Sequence, residues 1–175
     1  MHIFLNAAPG LGKSTVINRV LEAVDGARAG GFRSYFGADR ASAKRQLYLS
    51  AANVPPEFDE KHAVARFYTY GTFSAIPGRF DALASELIGE SCAHSSIVIM
   101  DECSYLESDA LIWRREIMRA LDGDVPILGV VRLFDRCWTH DIVHHPNVQM
   151  VKITQSNRDA IAVELQSHFR SLLCR

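Results

Sequence analysis

Short unbroken apolar runs alternate along this chain with stretches in which apolar residues return every three or four positions, and that alternation predicts strands and helices in turn. Ile3-Phe4-Leu5 is a run of buried-strand type, and Val16, Ile17, Val20, Leu21 and Val24 then recur at helical spacing. Residues 30–36 and 46–49 read as two strands that could pair as a hairpin. Residues 52–62 carry Pro55-Pro56 and four charges and read as a loop, and 64–70 form a third short strand rich in aromatics. Phe80, Leu83, Ala84, Leu87 and Ile88 mark an amphipathic helix, followed by a fully buried strand over 96–100 that ends at Asp101-Glu102. Ala110, Trp113, Ile117 and Leu121 form one helical stripe, which Gly123 ends. Residues 126–132 read as another buried strand with a short helix after it, and 148–153 as the last strand. Ser156, with Asp159 three residues on, predicts a capping-box start for a final helix carrying Ile161, Ala162, Leu165, Phe169 and Leu172.

Strands alternating with helices argue an α/β fold, a mostly parallel sheet with helices on both faces and the hairpin region added at one side. The 175 residues suit a single domain over 1–175, large enough to bury its own core. A net charge of −1, with acids and bases interspersed, gives no electrostatic footprint for nucleic acid. Cys92, Cys103, Cys137 and Cys174 lie far apart without a C-x-x-C pair, so neither a zinc site nor a disulfide framework is expected and the cytoplasm is the default compartment. The chain runs straight into its first strand without a basic leader, and no apolar run is long enough to span a bilayer, so no membrane partner is expected.

Chemistry enters at Ala7-Ala8-Pro9-Gly10-Leu11-Gly12-Lys13-Ser14-Thr15, between the first strand and the first helix. This is the context of a phosphate-binding loop, in which backbone N–H groups wrap phosphate oxygens and the helix N-terminus adds positive potential. Gly10 and Gly12 supply turns and close approach, Lys13 reaches the β- and γ-phosphates, and Ser14 offers a hydroxyl to Mg²⁺. The residues expected to contact nucleotide are Ala8, Pro9, Gly10, Leu11, Gly12, Lys13, Ser14 and Thr15. Ala7 stands where the G-x-x-x-x-G-K-[ST] pattern has its first glycine. A glycine-rich turn that binds nothing is the bland alternative, and it leaves Lys13 and Ser14 at the helix start unexplained.

The apolar strand ending at Asp101-Glu102 reads as a Walker B strand, because ligands of open α/β sheets sit outside the carboxyl ends of their strands. Asp101 would hold Mg²⁺ opposite Ser14, and Glu102 is the candidate base for an attacking water. A Glu directly after the Walker B Asp resembles the additional-strand class of phosphate-loop proteins. By that analogy the 126–132 strand lies between the loop strand and the Walker B strand, and Arg132 either faces the γ-phosphate or forms a salt bridge to a surface acid.

Taken in order, the loop, the Gly30-Gly31-Phe32 strand start, the run Ile97 to Glu102 with Glu107 after it, the strand beginning at Pro126, and Ser156-Asn157-Arg158-Asp159 resemble the small nucleoside-triphosphatase family. That family includes a cancer-related NTPase and thermophile homologues, and the likeness runs nearly end to end. It implies a RecA-like core and Mg²⁺-dependent hydrolysis of many nucleoside triphosphates, ATP and GTP among them, to diphosphates. Lys13, Ser14, Thr15, Asp101 and Glu102 match its nucleotide and metal positions, Glu107 its following acid, and Asn157-Arg158 a recurrent pair. Ser104-Tyr105 departs from the family's Gly-Lys pair, and Tyr35-Phe36 from an acidic pair. Arg132 or Arg33 could replace the lost lysine charge.

Lesser candidates read blandly. His140 and His144 share a helical face but have no recognisable third ligand. Phe67, Tyr68, Tyr70 and Phe73 could stack a nucleobase and are read as core. Lys44-Arg45 and Arg114-Arg115 are read as solvated faces. Catalysis is therefore assigned to Lys13, Glu102 and Arg132, and metal binding to Ser14 and Asp101. A nucleotide or small-molecule kinase, and a nucleotide-dependent binding module with slow hydrolysis, remain the alternatives.

Overall fold

The computed structural model describes residues 1–24, 28–69, 72–133 and 137–173. Its strands are β1 (His2–Asn6), β2 (Ala29–Phe36), β3 (Arg45–Ala51), β4 (Ala63–Thr69), β5 (Thr72–Ala75), β6 (Ile97–Cys103), β7 (Ile127–Val131) and β8 (Val148–Lys152). They form one eight-stranded sheet in the order β5-β4-β3-β2-β6-β7-β1-β8. From β2 to β8 every pairing is parallel, and β3, β4 and β5 add an antiparallel extension beyond β2. The α/β expectation holds, and β7 lies between β1 and β6 as the additional-strand analogy requires.

Helices cover both faces of the parallel half: α1 (Lys13–Ala23) and α6 (Arg158–Leu173) on one, α2 (Arg79–Ala84), α3 (Ser91–His94), α4 (Leu111–Leu121) and α5 (Thr139–Val143) on the other. The unbroken apolar runs follow from this double cover, because alternate residues of one strand feed opposite cores. Ile3 and Leu5 pack with Val16, Ile17 and Val20 of α1 and Ala162, Leu165 and Phe169 of α6. Phe4 points the other way, towards Phe80, Leu83, Leu87 and Ile88 and the α4 stripe Trp113, Ile117 and Leu121. Gly31 lets β2 approach β6: its φ is +89°, and a Cβ there would lie 2.0 Å from the Ile99 carbonyl oxygen.

Four features differ from the sequence reading. Strand β5 escapes prediction because Thr72-Phe73-Ser74-Ala75 is a short edge strand without a buried face. The helix over Phe80–Ile88 continues to His94 through a wide π-helical stretch, Ser85–Glu90. The reciprocal cap of α6 falls at Thr154 and Asn157, two residues before the expected Ser156 and Asp159. The Thr154 N–H donates to Asn157 Oδ1 at 2.7 Å, and Thr154 Oγ1 accepts from the Asn157 N–H at 3.3 Å. Asp159 instead pairs with Arg19 at 2.8 Å. Finally, Tyr68 and Phe73 are exposed and Phe67 half-buried, so these rings are not core.

Cys92, Cys103 and Cys137 carry free thiols; Cys174, like Tyr70, lies outside the described residues. Among the described residues no helix is long and apolar enough to cross a membrane.

Candidate active site

The phosphate loop leaves β1 at Asn6 and enters α1 at Lys13, where Gly12 takes the left-handed conformation at φ +85° and Gly10 does so at +80°. Both turns fold the chain back so that its N–H groups can converge, a geometry that favours glycine. Gly12 has a second reason to be glycine. The Arg158 side chain crosses it, and a Cβ there would meet Arg158 Cδ at 2.7 Å. The Lys13 ammonium donates to the Ala7 and Ala8 carbonyls at 3.0 and 3.2 Å, drawing the loop around itself.

The carboxyl end of β6 supplies the opposing wall. Ser14 Oγ donates to Asp101 Oδ2 at 3.3 Å, and Arg33 Nε on the neighbouring strand β2 stands 3.8 Å from the same oxygen. Arg132, at the end of β7, places Nε 2.6 Å from Glu102 Oε1, though this N–H has no aligned hydrogen bond. The acid that Arg132 pairs with is therefore not a surface one but Glu102, inside the cleft. Lys13, Ser14, Asp101, Glu102 and Arg132 line one cleft of 480 Å³ together with Pro9 and Gly10.

Ala8 and Leu11 line a different depression, on the far side of the loop, with Asn6, Ala7 and residues 152–155. Thr15 sits exposed in the first turn of α1. The parallel topology explains the meeting: β1, β7, β6 and β2 all end at this edge, so residues more than a hundred positions apart share one cleft.

The electrostatics oppose burial to pairing. Burial raises the Asp101 carboxyl above the ordinary range, against the pull of Arg33, Ser14 and Lys13. Burial also raises Glu102, against Arg132 and Lys13, and the nearby Asp101 charge adds to the rise. The Lys13 ammonium is pulled below its usual value by burial, with Glu102 opposing most. Ser14 Oγ and Asp101 Oδ2 make a pair of hard oxygens suited to Mg²⁺. Among the described residues no cluster of three His, Cys, Asp or Glu side chains gathers. Such a sparse donor set fits a cation that takes its remaining ligands from phosphate and water.

Ser104 and Tyr105 do structural work at the cleft edge. Ser104 caps a one-turn 3₁₀ helix (Tyr105–Glu107), accepting from the Leu106 N–H at 3.2 Å, while its own N–H donates to Glu107 Oε2 at 2.8 Å. Trp138 Nε1 donates to the Ser104 carbonyl at 2.6 Å and pins this turn from α5. Burial pushes Glu107 up to about 8 in spite of these donors. A native state that keeps its proton while the unfolded chain has lost it is destabilised as pH rises, from about 4.5 until the penalty is complete near about 8. Glu107→Gln is expected to flatten that decline in urea-denaturation free energies measured across the range; a slope identical to wild type would show that Glu107 titrates normally.

The chain matches the model of the NTPase family over residues 2–166. It belongs to that family. This NTPase is 24% identical to Nucleoside-triphosphatase THEP1 of Methanothermobacter thermautotrophicus over 94% of each chain. It is 24% identical to the protein of the same name from Pyrococcus abyssi, over 100% of this chain and 96% of the relative. The crystal structure of THEP1 from the hyperthermophile Aquifex aeolicus has a TM-score of 0.75 at 20% identity, covering 100% of both chains. The solution structure of a human cancer-related nucleoside triphosphatase gives 0.67 at 18%, covering 97% of each. Both likenesses agree with the fold derived above.

Sequence reading missed part of the NTPase's cleft. Arg45, taken for a solvated residue, lies with its guanidinium 4.9 Å from the Phe36 ring and 5.1 Å from the Phe67 ring, and all three line the cleft. The signal was the register, which sets Arg45 opposite Phe67 and Phe36 opposite Leu47, and no local pattern encodes it. Arg114 is likewise not simply solvated, since it lies 5.6 Å over the Trp138 ring. His140 and His144 stack at 5.5 Å, and His144 Nδ1 donates to the His140 carbonyl at 2.8 Å, a helix-surface contact.

Proposed function

We propose that residues 1–175 form one cytoplasmic catalytic domain that hydrolyses a broad range of nucleoside triphosphates, ATP and GTP among them, to diphosphate and phosphate with Mg²⁺. The observation that carries this reading is the meeting of Glu102 with Lys13, Ser14 and Asp101 in one cleft. The relatives named Nucleoside-triphosphatase support a triphosphate as substrate. The loop N–H groups and the α1 N-terminus hold the phosphates, and Lys13 sets its charge against them. Ser14 and Asp101 would hold Mg²⁺, which when bound would supply positive charge against the phosphates. Glu102 accepts a hydrogen bond from water and orients it in line with the γ-phosphorus, taking its proton as the new O–P bond forms and the bond from the γ-phosphorus to the β–γ bridging oxygen breaks, so that the nucleoside diphosphate leaves. Arg132 opposes the burial that raises Glu102 and so favours its ionised form, and its guanidinium would meet charge developing on the transferred phosphoryl.

Phosphate release from ATP, GTP, CTP and UTP tests the reading. Turnover is expected with all four within about tenfold of one another, because no base-reading side chain is assigned. Chelation of Mg²⁺ should abolish it. Turnover with one nucleotide alone would overturn the broad specificity, and turnover undiminished by chelation would remove Ser14 and Asp101 as metal ligands.

A further inference from the structure

The cleft is longer than the phosphate chemistry needs. From Lys13 and Glu102 it runs across β2 on to the antiparallel extension, where Phe36, Arg45, Leu47 and Phe67 line it. Two observations define this end. Four rings follow one another from it towards the catalytic edge, Phe36 to Phe67 at 5.3 Å, Phe67 to Phe73 at 5.8 Å and Phe73 to Tyr105 at 4.7 Å. The Arg45 guanidinium lies against Phe36 and Phe67 with no carboxylate partner among the described residues, its Nη1 donating only to the Ser42 carbonyl at 3.1 Å. Stacking fixes the guanidinium plane, so its remaining N–H donors are held in place for an anion.

The nucleoside has another place to go. The depression lined by Asn6, Ala8, Leu11 and Thr154 measures 430 Å³ and flanks the loop on the side away from Glu102. We propose that the β3–β4 end of the cleft is a second ligand site, distinct from the nucleotide's, for a small aromatic anion. Its ring lies on the Phe36–Phe67 wall and its phosphate or carboxylate pairs with Arg45. The proposal rests on the functional reading above only in placing the nucleotide at the loop. The site is continuous with the part of the cleft lined by Lys13 and Glu102, so its occupant would border the space that the functional reading gives to the γ-phosphate and the attacking water.

1-Naphthyl phosphate and neutral 1-naphthol are the probes, with naphthyl fluorescence titrated against protein saturated with a non-hydrolysable triphosphate and Mg²⁺. The phosphate is expected to bind one to one and more tightly than naphthol. Arg45→Met should weaken it about tenfold or more, the usual loss for one charge-assisted pair, and leave triphosphate affinity unchanged. Arg45→Lys, which keeps the charge but not the planar fork, should fall between the two and guards against a folding defect in the first variant. Equal affinity of both probes, or no effect of Arg45→Met in a folded variant, overturns the anion site. Displacement of the probe by the triphosphate, or an equal loss of triphosphate affinity in Arg45→Met, overturns it in favour of a nucleoside seat. If the triphosphate itself does not bind, the functional reading fails, while titration of the probe alone still tests the chamber.

Discussion

Glu102→Gln is expected to lower the single-turnover rate of hydrolysis by about 10² to 10⁴-fold, the range for a positioned general base, and to leave triphosphate affinity within a few-fold of wild type. The amide matches the carboxylate in shape and can keep its place beside the Arg132 guanidinium, so the cleft keeps its packing. It cannot accept the proton of the attacking water. Because burial raises the Glu102 carboxyl, with Asp101 adding and Arg132 and Lys13 opposing, the wild-type rate should begin to fall on acidification at a pH above that of a free glutamate. The variant should lose the share of that limb owed to Glu102 and keep the share owed to Asp101, whose carboxyl burial also raises. Rapid-quench measurement of phosphate release, paired with equilibrium binding of a non-hydrolysable triphosphate, separates the two effects. A wild-type rate in Glu102→Gln would mean that another group orients the water.

Lys13→Met should damage both binding and turnover. The methionine keeps an unbranched apolar stem in a nearly buried position, so the fold should survive. What disappears is an ammonium that donates to Ala7 and Ala8 and faces Asp101 and Glu102. Loss of one charge-assisted contact to phosphate weakens ground-state binding by about ten- to a hundredfold. Where charge develops in the transition state the loss is larger, about 10² to 10³-fold in kcat. With its cation gone, Glu102 should also rise further, and the residual activity should show its acid limb at higher pH than wild type. Isothermal titration with the triphosphate and pH–rate profiles check both parts. Unimpaired binding in Lys13→Met would mean that the loop N–H groups and the helix end hold the phosphates without it.

Both variants bear on residues that are visible in the sequence alone, and the reason is local. The loop's glycines, lysine and serine lie within a few positions of one another, since a strand-to-helix turn must present its donors within one turn of helix. Asp101-Glu102 is visible because two adjacent acids closing an apolar strand put carboxylates at the sheet edge where ligands of this architecture bind. Arg132 was legible as the end of a strand, but its partner was not, as Glu102 lies on a different strand whose neighbour is set by sheet order. The capping box of α6 was misplaced by two residues for a related reason. Thr154 and Asn157 are as good a pair as Ser156 and Asp159, and the choice falls to the docking of Asp159 on Arg19 of α1.

The sequence by itself determined most of the elements, the α/β class, the phosphate loop and the two acids opposite it, because each rests on spacing within a dozen residues or on a single chemical pattern. Only the tertiary structure decided which strands are neighbours and therefore what else lines the cleft. It paired Arg132 with Glu102, laid Arg158 over Gly12, and brought Phe36, Arg45 and Phe67 together through the register of an antiparallel extension whose last strand had no signature. Register and sheet order are settled by the summed burial of many side chains on both faces, a quantity that no short window of sequence contains.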